Sequence, residues 1–196
     1  TKQYILSDEV DYILNRSNPH KIGLRTMRLD IMGEEQAKSV ATRIQYASKH
    51  AGVANAWKKW QGESKGLARL GTLENKREAE RRFQQWADAH PAYADVLSQM
   101  HGLYAELAPY AFARDYYAEA YGAVELTRFA SRLVRAGARQ REAMAREFYK
   151  DYSPVIDARI AKKTWGEYLR NVPQEFLPEA FAQAVAVAGG VDAAVE

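Results

Sequence analysis

Residues 91–109 read PAYADVLSQMHGLYAELAP and carry the clearest structural signal in the chain. Tyr93, Val96, Leu97, Met100, Leu103, Tyr104 and Leu107 recur at intervals of three and four. That is the period of a helix with one buried face, not the alternation of a half-covered strand. His90-Pro91 opens the segment. Pro109 has no N–H to donate and is expected to end or kink the helix.

The same period extends in both directions. Towards the C-terminus, Phe112, Tyr116, Ala120, Val124, Ala130 and Leu133 form a second stripe closing near Gly137, and Phe148-Tyr149 end another helical segment. Ser153-Pro154 pairs a capping residue with a proline at the first helical position, a strong start signal. Val155, Ile156, Ile160, Tyr168 and Leu169 give that helix its apolar face. Pro173 and Pro178 bracket a loop before a last apolar helix that runs to Gly189-Gly190, and residues 189–196 are expected to fray.

Towards the N-terminus, Leu24, Met27, Ile31, Val40, Ile44 and Ala47 fit one long helix with a tolerated Gly33. Gly52 is expected to stop or kink it. The stretch from Trp57 to Ala87 is helical in composition, with Gly62, Gly66 and Gly71 marking a bend. Ser7-Asp8-Glu9 starts a short helix ending near Asn15, its acidic residues at the positive end. Strand-forming runs are nearly absent. The expected architecture is all-α, a helical bundle of about six to eight helices in one domain over residues 1–188.

Composition narrows the function. The chain has 196 residues, 47% hydrophobic and 27% charged, in the normal range for a globular domain. Its longest apolar run, Ala180 to Val187, is far too short to span a bilayer, so no membrane span is expected. Thr1 opens mid-pattern, without a basic start and a following apolar stretch, so no signal peptide is expected here and the chain reads as an excised or processed piece. The absence of cysteine removes disulfides, thiolate metal sites and cysteine nucleophiles. His20, His50, His90 and His101 are scattered and read as surface or capping residues, so no metal site is expected. No cofactor motif occurs, and none of the eight serines sits in a glycine-rich setting. Glu106 with Glu119, or Glu142 with Glu147, lack the Glu-x-x-His partners of a di-iron site and read as salt-bridged or solvated glutamates.

Charge is uneven. Residues 16–82 hold 15 Lys/Arg against 7 Asp/Glu, a net +8 that leaves −5 on the rest of a chain whose total is +3. Such a half can face nucleic acid or an acidic protein, or be the wet side of helices. The tyrosines at 93, 104, 116, 117 and 121 stand at helical spacing and read as core, without the Arg/aromatic interleaving of a nucleic-acid platform. Nucleic acid is therefore not an expected partner.

One segment is unusual. Between Tyr46 and Trp60 the sequence YASKHAGVANAWKKW places a lone Asn55 among alanines, next to an expected helix break and two tryptophans. Its carboxamide offers both a donor and an acceptor. By local chemistry it caps the helix following Gly52.

The run YASKHAGVANAWKKWQG over 46–62 resembles the YASKxAGxxNxWK segment of bacterial serine dipeptidyl-peptidases of the dipeptidyl-peptidase 7 and 11 type. NPHKIGLRTMRLDIMGEEQ before it, GLARLGTLENKREAERRFQQW after it and KDYSPVIDARIAKKTWGEYLRNVPQEFLP over 150–178 resemble the same family in the same order. The resemblance implies a helical insertion in a chymotrypsin-like double β-barrel peptidase. That domain would cap the active-site cleft, with the Ser, His and Asp of the triad on barrels outside this chain.

It implies further that Asn55 binds the free amino terminus of a peptide substrate, with Trp57 as a second candidate in the cleft and no catalytic residue here. The expected partners are a peptide and the parent's own barrels, in a parent that could be a homodimer at the periplasm or outer membrane of a Gram-negative bacterium. Ala56 departs from the family pattern, where many members carry an aromatic residue. A domain built to pack on barrels is also expected to expose an apolar patch when taken alone. The rival reading is a free-standing helical binding module that uses its basic half.

Overall fold

The computed structural model describes residues 5–196, and the first four residues of the expected 1–188 domain lie outside them. Among the described residues there are ten α-helical segments and no strand. α1 (Ser7–Tyr12) continues through a π-turn (Ile13–Ser17) into α2 (Asn18–Lys38) without leaving helical geometry. Pro19 stands at the start of α2. A proline ring clashes with the carbonyl four residues back, and the widened turn just before it accommodates that ring. The helix from Ser7 therefore does not stop near Asn15.

At Ser39 the chain turns. Ser39 is extended (φ −152°, ψ 149°) and its side chain accepts a hydrogen bond from the Thr42 backbone N–H at 3.0 Å, capping α3 (Val40–Arg69). The apolar positions from Leu24 to Ala47 thus belong to two helices. α2 and α3 fold back as an antiparallel hairpin: Gln36 bonds the Arg43 carbonyl near the turn, while Asn18 reaches Glu63 and Ser64 at the far end. α3 runs straight through Gly52, Gly62 and Gly66. The bend comes at Gly71, which takes left-handed geometry (φ +56°) and donates to the Ala68 carbonyl at 3.1 Å, ending the helix.

α4 (Thr72–Ala87) returns along α1, where the Glu80 carboxylate accepts from the Ser7 backbone N–H at 2.7 Å and from its hydroxyl. α5 (Val96–Tyr116) passes through Pro109 uninterrupted and enters a second π-turn (Tyr117–Tyr121). The expected second stripe from Phe112 to Leu133 is broken there by Gly122 and the extended Val124. α6 (Glu125–Arg135) and α7 (Ala138–Lys150) follow. α8 (Pro154–Asn171) starts as expected on Ser153, whose hydroxyl faces the Ile156 N–H. A 3-10 turn (Gln174–Phe176) and α9 (Glu179–Ala188) lead to α10 (Val191–Val195). The segment expected to fray is helical: Val191 and Ala194 pack on the core, and Lys162 holds Glu196 at 2.9 Å.

The core has two parts. One joins Leu24, Tyr116, Ala120, Tyr168, Phe181 and Val185; the other joins Ile31, Met32, Tyr46, Val53, Ile156 and Ile160. α2 and α8 contribute to both. The α5 stripe is not the fully buried face that its spacing suggests. Leu97 is buried, but Leu103 is 64% exposed, Leu107 56% and Tyr110 61%, so part of α5 presents an apolar row to solvent.

Candidate functional site

α3 places Asn55 in mid-helix and in solvent. It stands 15 residues beyond the first residue of α3, so capping cannot be its role. No described residue hydrogen-bonds its side chain. One turn earlier are exposed Ala51 and Gly52, and a Cβ built at Gly52 would meet nothing within 4 Å. One turn later are exposed Lys58 and Lys59. A carboxamide with four hydrogen-bonding positions thus stands on a bare stretch of helix.

The opposite side of the same helix is firmly held. Trp57 is half-buried, and its indole N–H donates to Thr26 Oγ1 on α2 at 2.9 Å. Arg25 of α2 donates to the Val53 carbonyl at 3.2 Å and lies over the Trp60 ring at 4.7 Å. Arg25 also forms a fork to Glu119 in the second π-turn, with contacts of 2.8 and 2.9 Å. Bidentate guanidinium–carboxylate pairs fix orientation as well as distance. Trp57 is therefore a packing residue pointing away from Asn55's exposed face, and the fold does not bring these two candidates together.

Below this pair the polar layer is buried and dense. Arg28, 7% exposed, approaches Glu119 at 3.6 Å, while its Nε has no partner; burial pushes its guanidinium down to about 10. Asp115 accepts from Ser17 at 2.7 Å, from Tyr12 at 3.0 Å and from Lys21 at 3.0 Å. Burial alone would raise its carboxyl, but these donors and the Lys21 charge bring it below the usual range. Nearer the start of α3, Lys49 and Tyr46 both bond Glu125 of α6, at 2.8 and 3.2 Å. Asp157 of α8, 2% exposed, accepts from the backbone N–H groups of Glu125 and Leu126 at 2.7 and 2.9 Å, which caps α6.

The sequence singles out Asn55 but assigns no role to Arg25, Glu119, Asp115 and Asp157, although Arg25 and Asp157 lie within segments that carry the resemblance. The hydrogen-bond partners named above lie 28 to 103 residues away, so local spacing does not reveal these pairings. The histidines also divide differently from the surface or capping roles expected of them. His90 caps at the Trp86 carbonyl and His101 pairs with Asp8, but His20 stacks on Tyr116 at 4.8 Å inside the fold. Glu119, Glu142 and Glu147 are all salt-bridged. No group of three or more metal-ligating side chains occurs among the described residues.

A family model for peptidase S46 matches residues 1–191. This chain belongs to the peptidase S46 family. It is 34% identical to an Asp/Glu-specific dipeptidyl-peptidase of Flavobacterium psychrophilum, over 91% of this chain and 28% of that protein. It is 35% identical to dipeptidyl-peptidase 7 of Porphyromonas gingivalis, over 94% of this chain and 27% of that protein. The crystal structure of Porphyromonas endodontalis DPP11 aligns with the whole chain at a TM-score of 0.73 and 22% identity, and 30% of that chain is covered. The shared S46 fold here is the helical one. The chain spans under a third of the length of these relatives.

Proposed function

We propose that this chain is the helical domain of a serine dipeptidyl-peptidase and that Asn55 anchors the amino terminus of the peptide being cut. The observation that carries the reading is an exposed, unpartnered carboxamide on a helix whose other side is clamped by Trp57 and Arg25. An exopeptidase that removes two residues must measure from the free amine to the scissile bond. A fixed acceptor does that, because held geometry replaces a search through orientations. An amide oxygen accepts from an ammonium without the desolvation cost of a carboxylate.

Asn55 can take one of the three ammonium protons, and Lys58 and Lys59 add no attraction for a cation. Anchoring is therefore by a directed hydrogen bond, with the other two protons left to water or to parts of the parent beyond this chain. The exposed apolar row of Leu103, Leu107 and Tyr110 supports packing against the parent's remaining length, which in this reading holds the catalytic β-barrels. Capping of the cleft by hinged closure fits a domain joined in that way. The parent's placement at the periplasm or outer membrane belongs to the same reading.

The test is Asn55→Ala in the full-length parent enzyme, assayed on free-amine dipeptidyl substrates and on their N-acetylated forms. The expected result is a loss of kcat/KM on the free-amine substrate of roughly tenfold or more, matching one lost charge-assisted hydrogen bond. Equal activity of the variant and the parent on free-amine substrates would remove the anchor role.

A further inference from the structure

α6 carries Arg128, Arg132 and Arg135, spaced by four and three, so their side chains project within one face of the helix. Beside that face, Phe129 is buried and stacks on Phe148 of α7 at 4.1 Å, which fixes the rotation of α6. All three arginines line a groove of about 560 Å³ between α6 and the second π-turn, with Ser131, Tyr117 and Tyr121. None of the three guanidinium groups makes a hydrogen bond or ion pair with a described residue.

Carboxylates that could neutralise them are committed elsewhere. Glu125, at the groove edge, is held by Lys49 and Tyr46. Glu119 serves Arg25 and Arg28, and Asp157 caps α6 through two backbone N–H groups. On α7, Glu142 and Glu147 pair with Arg146 and Lys150 of their own helix. Nine of the other fourteen arginines have a carboxylate within 4 Å, Arg25, Arg77, Arg81 and Arg159 among them; what distinguishes this row is three unpaired guanidinium groups on one groove.

The geometry points to this groove as a binding site for an acidic peptide segment, its side-chain carboxylates received by Arg128, Arg132 and Arg135. Seven residues of helix separate the first and last guanidinium by about 10 Å. Carboxylates two residues apart on an extended peptide stand about 7 Å apart on one side, so two or three of them match the row. A single small anion would engage only part of it. Guanidinium forks suit carboxylates in pairs, and the groove's tyrosines offer ring faces and hydroxyls to the peptide between its charges.

The test measures calorimetric binding of Ac-Glu-Ala-Glu-Ala-Glu-NH2 to the full-length parent, beside its all-Gln counterpart and inorganic phosphate. Both peptide ends are blocked, so the Asn55 anchor takes no part and either proposal can fail without the other. The acidic peptide is expected to bind at least tenfold more tightly than the Gln peptide and to weaken steeply with salt. Arg128→Gln/Arg132→Gln/Arg135→Gln should lose that preference, while the triple Lys variant keeps part of it and Arg146→Gln keeps all of it. Equal binding of the two peptides overturns the site, as does unchanged binding by a folded triple Gln variant. Phosphate that displaces the peptide at equal affinity reduces the groove to an adventitious ion site only. If the triple Gln variant does not fold, Arg132→Gln alone must weaken the acidic peptide by threefold or more, or the site falls.

Discussion

Trp57 donates to Thr26 at 2.9 Å across the α2–α3 hairpin, only two residues from Asn55. A helix turns 200° in two residues, so one residue faces the partner helix while the other faces solvent. The position of the exposed carboxamide is thus set by a hydrogen bond on the far side of its own helix.

Trp57→Phe keeps most of the ring and removes the donor. The Thr26 hydroxyl also donates to the Ile22 carbonyl, so it retains one partner. The expected loss is about 1 kcal/mol of unfolding free energy, read from urea denaturation. A change beyond about 3 kcal/mol would mean that the ring, not its N–H, holds the hairpin.

Asn55→Ala should leave the fold intact and stabilise it slightly, by roughly 0.5 kcal/mol, because alanine is the better residue in an exposed helix interior. A capping asparagine would show the opposite sign, a loss of about 1 kcal/mol. Thermal unfolding of the purified variant distinguishes the two.

Asp157→Ala removes the two acceptors at the start of α6 and leaves the Glu125 and Leu126 N–H groups unpaired. We expect a loss of about 2 kcal/mol, with α6 the first element to lose protection in hydrogen exchange. Full protection of α6 in the variant would show that Phe129 packing alone holds it.

His20 gives a pH signature. Burial, opposed in part by Asp115, lowers its imidazole from 6.5 to about 4. Below pH 6.5 the unfolded chain takes up a proton that the folded chain refuses until about pH 4. The stability linked to His20 is therefore complete above 6.5, falls as pH drops from 6.5 to 4, and flattens below. The span is on the order of 3 kcal/mol at most. His20→Phe should flatten this part of the curve; identical slopes for parent and variant between pH 6.5 and 4 would contradict the assignment.

Periodicity alone made the all-α class legible, since intervals of three and four recur from Leu24 to Val185 and every buried core residue lies on or beside a helix. Local chemistry also marked Ser153-Pro154 correctly. Breaks were harder to place. Ser39 ends α2 because its side chain caps the next helix, whereas Gly52 and Pro109 lie within α3 and α5. In both cases neighbouring turns outweigh a single poor helix former, whose cost is small for glycine and larger for proline. The α5 stripe misled for another reason: apolar spacing reveals a face to be covered but not whether the cover lies within these residues.

Helical class, the missing cysteine chemistry and the singular Asn55 follow from residue types and spacing, which are local properties of the chain. The pairing of Arg25 with Glu119, the burial of His20, the capping of α6 by Asp157 and the unpaired row of arginines depend on segments 31 to 96 residues apart meeting in space. Electrostatic partners act over a few ångströms whatever their separation in sequence. Folding alone chose which charges found an opposite charge and which were left facing solvent.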